Sequence, residues 1–144
     1  MKINLGCGND YKEGYVNIDK NNFVRVDKTL DFEKEKLPFD DSSVEEIEAK
    51  MVVEHIRNRD FFMNECWRVL KPASKIHITT PPAGTVAYWK DPTHVSGWIP
   101  QTFRYYADWN TNPADLRKTW KIVSCETHLV GDENEFIDCV LEKP

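Results

Sequence analysis

The chain has 144 residues, with 19 Lys and Arg against 24 Asp and Glu and a formal net charge of −5. That length suits one domain and buries about two thirds of the unfolded surface, enough for a core without staples. The acidic balance and the absence of a basic block speak against a nucleic-acid partner, and no apolar run approaches the roughly 18 residues that a membrane span needs.

The N-terminus enters a strand-like pattern directly, with no signal-peptide core, so a cytoplasmic protein is expected. Four cysteines, Cys7, Cys66, Cys125 and Cys139, are scattered without any C-x-x-C pair. Reduced thiols and no metal site follow. Cys125 and Cys139 flank a terminal hairpin, where a bridge would form only in an oxidising setting.

In chain order, residues 2–5 read as a short central strand and residues 15–18 as a second. The link between them is too short for an ordinary crossover helix, which takes ten residues or more, so that helix is one turn or missing. Lys28-Thr29-Leu30 is a third strand candidate. Leu37-Pro38-Phe39 forms a turn, and residues 44–50 read as a fourth strand with an acidic entrance. The acidic run from Asp40 to Glu48 reads as a solvated face. Residues 51–56 are a loop or helical turn. Residues 58–70 carry Phe61, Phe62, Cys66, Trp67, Val69 and Leu70 at helical spacing, with Asn58 or Asp60 as cap and Pro72 as the stop.

Residues 75–79 alternate and are β-branched, which predicts a fifth strand. Residues 81–100 form a long loop rich in aromatics, residues 102–109 a short aromatic helix, and Asn112-Pro113 starts another helix. Residues 120–130 and 135–142 are strands around Gly131-Asp132-Glu133-Asn134. Alternating units of this kind, closed by a hairpin, predict a single α/β domain over residues 1–144 with a mostly parallel sheet.

The stretch from Lys2 to Asn9 runs an apolar segment into Gly6-Cys7-Gly8, and ten residues later a second segment ends in Asp19. Glycine allows close backbone approach to a ligand, and an acid at the next strand tip can accept from ribose hydroxyls. Candidate ligand residues fall at the carboxyl ends of four strands: Gly6 to Asn9, Asp19, Asp31, and Met51 to Glu54.

These pieces resemble the small branch of class I S-adenosylmethionine-dependent methyltransferases. The resemblance rests on Ile3 to Asn9, Gly14 to Asp19, Asp31-Phe32, Leu37 to Ile47, Val53 to Ile56 and Glu65 to Pro72, in that order. It implies a Rossmann-like sheet and S-adenosyl-L-methionine as cofactor. By position, Gly6, Cys7 and Gly8 would lie along the methionine and ribose, and Asp19 would hold the ribose hydroxyls. Asp31 and Phe32 would flank the adenine, Met51 and Val52 would line the methionine side, and Asn9 and Lys20 complete the set. Asn9-Asp10 stands where many members carry a third glycine, and Ala73-Ser74 replaces the usual Gly-Gly after Lys71-Pro72. The Ala73-Ser74 turn is tolerable if φ stays negative.

Methyl transfer is an in-line displacement in which positioning does most of the work. His94, beside Asp91 and Tyr88 in the long loop, is the candidate general base. His55 is read as a turn cap, His77 and His128 as structural, and Cys7 as a small filler. The acceptor, a small molecule or an exposed group on a macromolecule, is not spelled by the residues, and an uncovered site would admit a homodimer. A second reading is a catalytically inactive protein that keeps the fold and regulates a partner. A dehydrogenase would need a second mononucleotide unit, for which the chain is too short.

Overall fold

The computed structural model describes residues 1–107, 119–131 and 134–144. Seven strands form one sheet: β1 (Lys2–Leu5), β2 (Tyr15–Asp19), β3 (Lys28–Thr29), β4 (Val44–Lys50), β5 (Leu70–Thr80), β6 (Lys121–Val130) and β7 (Asn134–Glu142). Their order is β3-β2-β1-β4-β5-β7-β6. β1 to β5 run parallel, and β7 enters antiparallel between β5 and β6. This is a Rossmann-like, mostly parallel sheet with a C-terminal antiparallel hairpin, as expected from the sequence. The order reverses direction between β1 and β4, where ligands of such sheets bind.

The strand register sorts side chains into two unlike faces. Ile3, Ile47, Ile76 and Leu141 lie in one row, and Leu5, Ala49, Ile78 and Cys139 follow on the same side. Two helices cover this apolar face: α1 (Arg59–Val69), through Phe62, Met63, Cys66 and Val69, and α3 (Pro100–Ala107), through Phe103, Tyr106 and Ala107. The opposite face is polar. Its rows run Tyr15, Lys2, Glu46, Lys75, Glu142, Lys121 and Asn17, Asn4, Glu48, His77. Ion pairs link Lys2 to Glu46 (3.1 Å) and Lys121 to Glu142 (2.9 Å), and Lys12 and Lys50 both reach Glu48.

No helix follows β1 among the described residues. The link from Cys7 to Gly14 lies over the polar face instead. Asn4 Nδ2 donates to the Asp10 carbonyl (2.8 Å), and the Lys12 amide donates to Asn17 Oδ1 (2.8 Å). Parallel strands are usually covered on both faces. Here the row of Asn and Glu side chains makes a solvated face stable, because each buried amide finds a partner.

Several sequence expectations are corrected. Pro72 does not stop α1. The helix ends at Val69, and the backbone is already extended at Leu70 (φ −67°, ψ 140°). β5 absorbs residues 71–74 as an irregularity in its pairing with β4. Within it, Ala73 has φ +61° and its amide donates to the Lys143 carbonyl (2.8 Å). The left-handed conformation costs a residue with a Cβ about 1–2 kcal/mol. Ala73→Gly is therefore expected to raise stability by about 0.5–1 kcal/mol after the added freedom of the unfolded chain is subtracted; an unchanged or lower urea midpoint would refute this. The third strand stops at Thr29, one residue short. The loop over residues 81–100 contains a short helix, α2 (Val86–Trp89), capped by Thr85, and α3 starts at Pro100 rather than at 102. The helix expected at Asn112-Pro113 lies outside the described residues. Asn58 caps α1 by accepting from the Phe61 amide (3.1 Å). Cys125 and Cys139 are directly opposite one another in the hairpin, and both are free thiols.

Candidate functional site

A cleft of about 510 Å³ opens at the carboxyl ends of β1, β2, β3 and β4, at the reversal of strand order. Gly6, Asp19, Lys20, Asp31, Phe32, Met51 and Val52 line it, together with Glu33, His55, Ile56, Arg57, Thr93 and Val95. The volume lies within the range of small-molecule sites.

Gly6 follows β1 with φ +63°, and a Cβ placed there would stand 2.4 Å from Val52 Cγ2. Glycine is thus required both by conformation and by the approach of the β4 end to the β1 end. The Gly6 amide donates to the Ile18 carbonyl (2.8 Å), which ties the turn to β2. Gly8 also has positive φ (+47°), with open space where a side chain would be. Its amide donates to Asp19 Oδ2 (2.9 Å), while Asp19 Oδ1 accepts from the Asn21 amide (2.8 Å). Asp19 therefore holds the two loops that flank the cleft, and each oxygen keeps a second lone pair.

On the far rim, Lys34 bonds to Asp31 (2.9 Å) and holds its carboxyl below the usual range, despite some burial. Phe32 is buried against Phe62 of α1, with ring centroids 6.1 Å apart. The Arg57 amide donates to Glu33 Oε1 (2.6 Å), joining the β3 and β4 sides of the rim. Met51, with φ +54°, leaves β4 by donating its amide to the Thr79 carbonyl (2.8 Å).

Beyond Met51, residues Val53–His55 form a 3-10 turn. The segment after α2 clamps it. The Val95 and Ser96 amides donate to the Glu54 carbonyl (2.9 and 3.0 Å), and Trp98 Nε1 donates to the Val53 carbonyl (3.1 Å). Glu54 is fully buried, Thr80 Oγ1 donates to its Oε2 (3.0 Å), and burial pushes its carboxyl pKa up.

The sequence-derived residues divide accordingly. Gly6, Asp19, Lys20, Asp31, Phe32, Met51 and Val52 are brought together on the cleft wall. Gly8 adjoins it through Asp19. Cys7 points away, buried, with its sulfur 3.8 Å from the Arg25 carbonyl; burial and then Asp19 raise its thiol pKa, as befits a filler. Asn9 is exposed and does not line the cleft. His94, Tyr88 and Asp91 form a group one layer behind. His94 Nδ1 bonds to the Tyr88 carbonyl (2.6 Å), its Nε2 lies 3.5 Å from Asp91, and its ring packs edge-on to His55 at 4.8 Å. The imidazole on the cleft wall is His55, not the expected base His94. Tyr88, Trp98 and Tyr106 are buried and absent from the cleft lining.

The profile of a family described as a methyltransferase domain matches residues 4–78, just over half of the chain. A protein of Mycolicibacterium smegmatis named as a probable S-adenosylmethionine-dependent methyltransferase is 34% identical over 74 residues, 51% of this chain and 28% of that protein. The chain thus aligns with under a third of that relative's length. Among solved structures, a Methanosarcina mazei protein described as a SAM-dependent methyltransferase superposes with a TM-score of 0.73 at 15% identity, covering 99% of this chain and 91% of the other. A protein described as the putative methyltransferase in complex with the Haloferax volcanii Trm112 methyltransferase activator gives 0.74 at 15% identity, covering 99% and 81%. Such low identities speak to fold alone. On the matched profile, the chain belongs to the methyltransferase-domain family, whose cofactor is S-adenosylmethionine.

Proposed function

We propose that the cleft binds S-adenosylmethionine and that the chain transfers its methyl group to an acceptor received beside His55, Arg57, Thr93 and Val95. The observation that carries this reading is the convergence of Gly6, Asp19, Asp31, Phe32, Met51 and Val52 on one cleft at the strand reversal. The fit is chemical as well as spatial. Two carboxylates, Asp19 and Asp31, stand in it for hydroxyl and amine donors, and Phe32 offers an apolar wall for a flat base. Open space at Gly8 admits a ligand against the backbone.

Bound there, S-adenosylmethionine supplies a methyl group activated by its sulfonium. The residues of the chain bind and orient. Asp19 accepts from ribose hydroxyls with lone pairs that Gly8 and Asn21 leave free. Asp31, kept ionised by Lys34, accepts from the adenine amine. Met51 and Val52 exclude water beside the methionine chain. Orientation of this kind contributes several kcal/mol toward an in-line displacement.

Calorimetry of the full chain with S-adenosylmethionine and with its demethylated product tests the reading. Dissociation constants between about 1 μM and 1 mM are expected. Asp19→Ala should weaken binding about 10- to 100-fold, the worth of charged hydrogen bonds. Asp31→Ala, which leaves the Gly8 latch intact, should weaken it as well. No heat with either ligand would overturn the assignment and move the non-catalytic reading forward.

A further inference from the structure

Behind the acceptor side of the cleft, a carboxylate oxygen of Glu54 and one ring nitrogen each from His55 and His94 lie within 4.8 Å of one another. Three local contacts make this more than proximity. First, Thr80 uses only Oε2 of Glu54, and Oε1 is fully buried with no hydrogen-bond partner. A buried carboxylate oxygen left bare is costly, and such groups are ordinarily paired or coordinate a metal.

Second, both imidazoles have their tautomer fixed. The Tyr88 carbonyl can only accept, so His94 Nδ1 carries a hydrogen, and in the neutral ring Nε2 presents a lone pair. Thr93 Oγ1 gives its proton to Asp91 Oδ1 (2.6 Å), so toward His55 Nδ1 it acts as an acceptor at 3.2 Å, alongside the Thr93 carbonyl at 3.3 Å. His55 Nδ1 is therefore the donor and its Nε2 is bare. A ligating histidine typically has its second nitrogen held in this way by a carbonyl. Third, Asp91 Oδ2 lies 3.5 Å from the same His94 Nε2, a contact that is favourable only when a proton or a metal cation is shared between the two atoms.

We propose that Glu54, His55 and His94 form a site for a divalent first-row transition-metal ion, with Asp91 as a fourth donor within reach. Two imidazoles and a carboxylate suit such ions and leave coordination positions open. Bond lengths of about 2.0–2.2 Å would draw the donors closer than the 4.8 Å within which they now lie. His55 belongs both to the cluster and to the cleft wall, so the open positions adjoin the space assigned to the acceptor. An acceptor oxygen could take one of them. Metal binding itself stands apart from the methyl-transfer reading, and only this service to the acceptor rests on it.

The test uses the full chain, stripped with EDTA and titrated with Co²⁺ by visible absorption and with Mn²⁺ and Zn²⁺ by calorimetry. One equivalent is expected, with the absorption of a nitrogen- and oxygen-ligated ion. His55→Ala and His94→Ala should each weaken uptake by about 100-fold or more, beyond the loss seen when an outer-shell partner is removed. His55 is only half-buried, so its variant should keep the wild-type circular dichroism and melt, and it decides the matter if the His94 variant fails to fold. Absence of uptake for all three ions overturns the site, as does uptake that survives His55→Ala. Calorimetry with S-adenosylmethionine on the same samples separates the two assignments: cofactor binding without metal removes this one alone, and metal without cofactor the other.

Discussion

Gly6→Ala is expected to destabilise the chain by about 2–5 kcal/mol and to abolish S-adenosylmethionine binding. The backbone at Gly6 sits at φ +63°, which costs any residue with a Cβ about 1–2 kcal/mol. The new methyl would also stand 2.4 Å from Val52 Cγ2. Valine is stiff about χ1 and cannot swing aside, so the β1 and β4 ends must separate, an overpacking cost of about 1–3 kcal/mol. Separation there opens the floor of the cleft. In a chain of this length each kcal/mol moves the melting temperature by about 2–5 °C. Val52→Ala in the Gly6→Ala background removes the clash but not the backbone strain. A double-mutant cycle should therefore show coupling of about 1 kcal/mol or more. A Gly6→Ala protein within 1 kcal/mol of wild type, or one that still binds cofactor, would contradict the close approach of these two strand ends.

Arg68→Met should cost about 3–5 kcal/mol at neutral pH, and the cost should shrink in acid. Arg68 donates to both oxygens of Glu65 (2.8 and 2.9 Å), to Asp41 (2.8 Å) and to the carbonyls of Phe39 (2.8 Å) and Leu37 (2.9 Å). It welds the loop before β4 to α1. Glu65 is buried and also accepts from the Leu37 amide (3.0 Å). Burial pushes its carboxyl up, but the hydrogen bonds from Arg68 and Leu37 outweigh this and leave it below the usual value. A folded-state value below the unfolded one contributes stability above the unfolded pKa near 4.3, lost as pH falls through the folded value. Without Arg68, burial is opposed only by the Leu37 amide and the charge of Lys36. An uncompensated buried charge then destabilises the fold by the stated amount, and protonation relieves it. Urea denaturation at pH 7 and near pH 4 reads both effects. A gap between variant and wild type that stays constant with pH would rule out the buried charge as the cause.

Local pattern explains why some of the architecture is legible in the chain. β4 shows in Val44, Ile47 and Ala49 set among acidic residues, and Asn58 precedes the apolar stripe of α1 as a cap should. The absence of a helix after β1 follows from link length alone. What is not legible depends on distant partners. The conformation of Ala73 is set by the Lys143 carbonyl, seventy residues away in sequence, and α2 is only one turn, too short to show a period. Most of the proposed cofactor residues sit at strand ends, so parity of the strand places them. His94 sits in a long loop, and no periodicity says which way its ring turns. The contacts of Glu54 with Thr80, Val95 and Ser96 decide that, and they put His55 rather than His94 on the cleft wall. The run from Asp40 to Glu48 is solvated in part, but Glu48 is nearly covered and shares Lys12 with the link over the sheet.

The polar face of the sheet bears on how stability varies with temperature. Unfolding exposes apolar and polar surface with opposite signs of heat capacity, which for an ordinary chain of this size sums to about 1.7–2.2 kcal/mol/K. Here the rows of Lys2, Glu46 and Lys75 and of Asn4, Glu48 and Asn17 occupy a side that helices would otherwise cover with hydrocarbon. Less apolar area is withdrawn from water for each strand formed, and more amide and carboxylate. The heat-capacity increment therefore falls below that range and the stability curve is broad and shallow, with its cold and hot limbs set further apart than in a two-sided sheet of equal maximum stability.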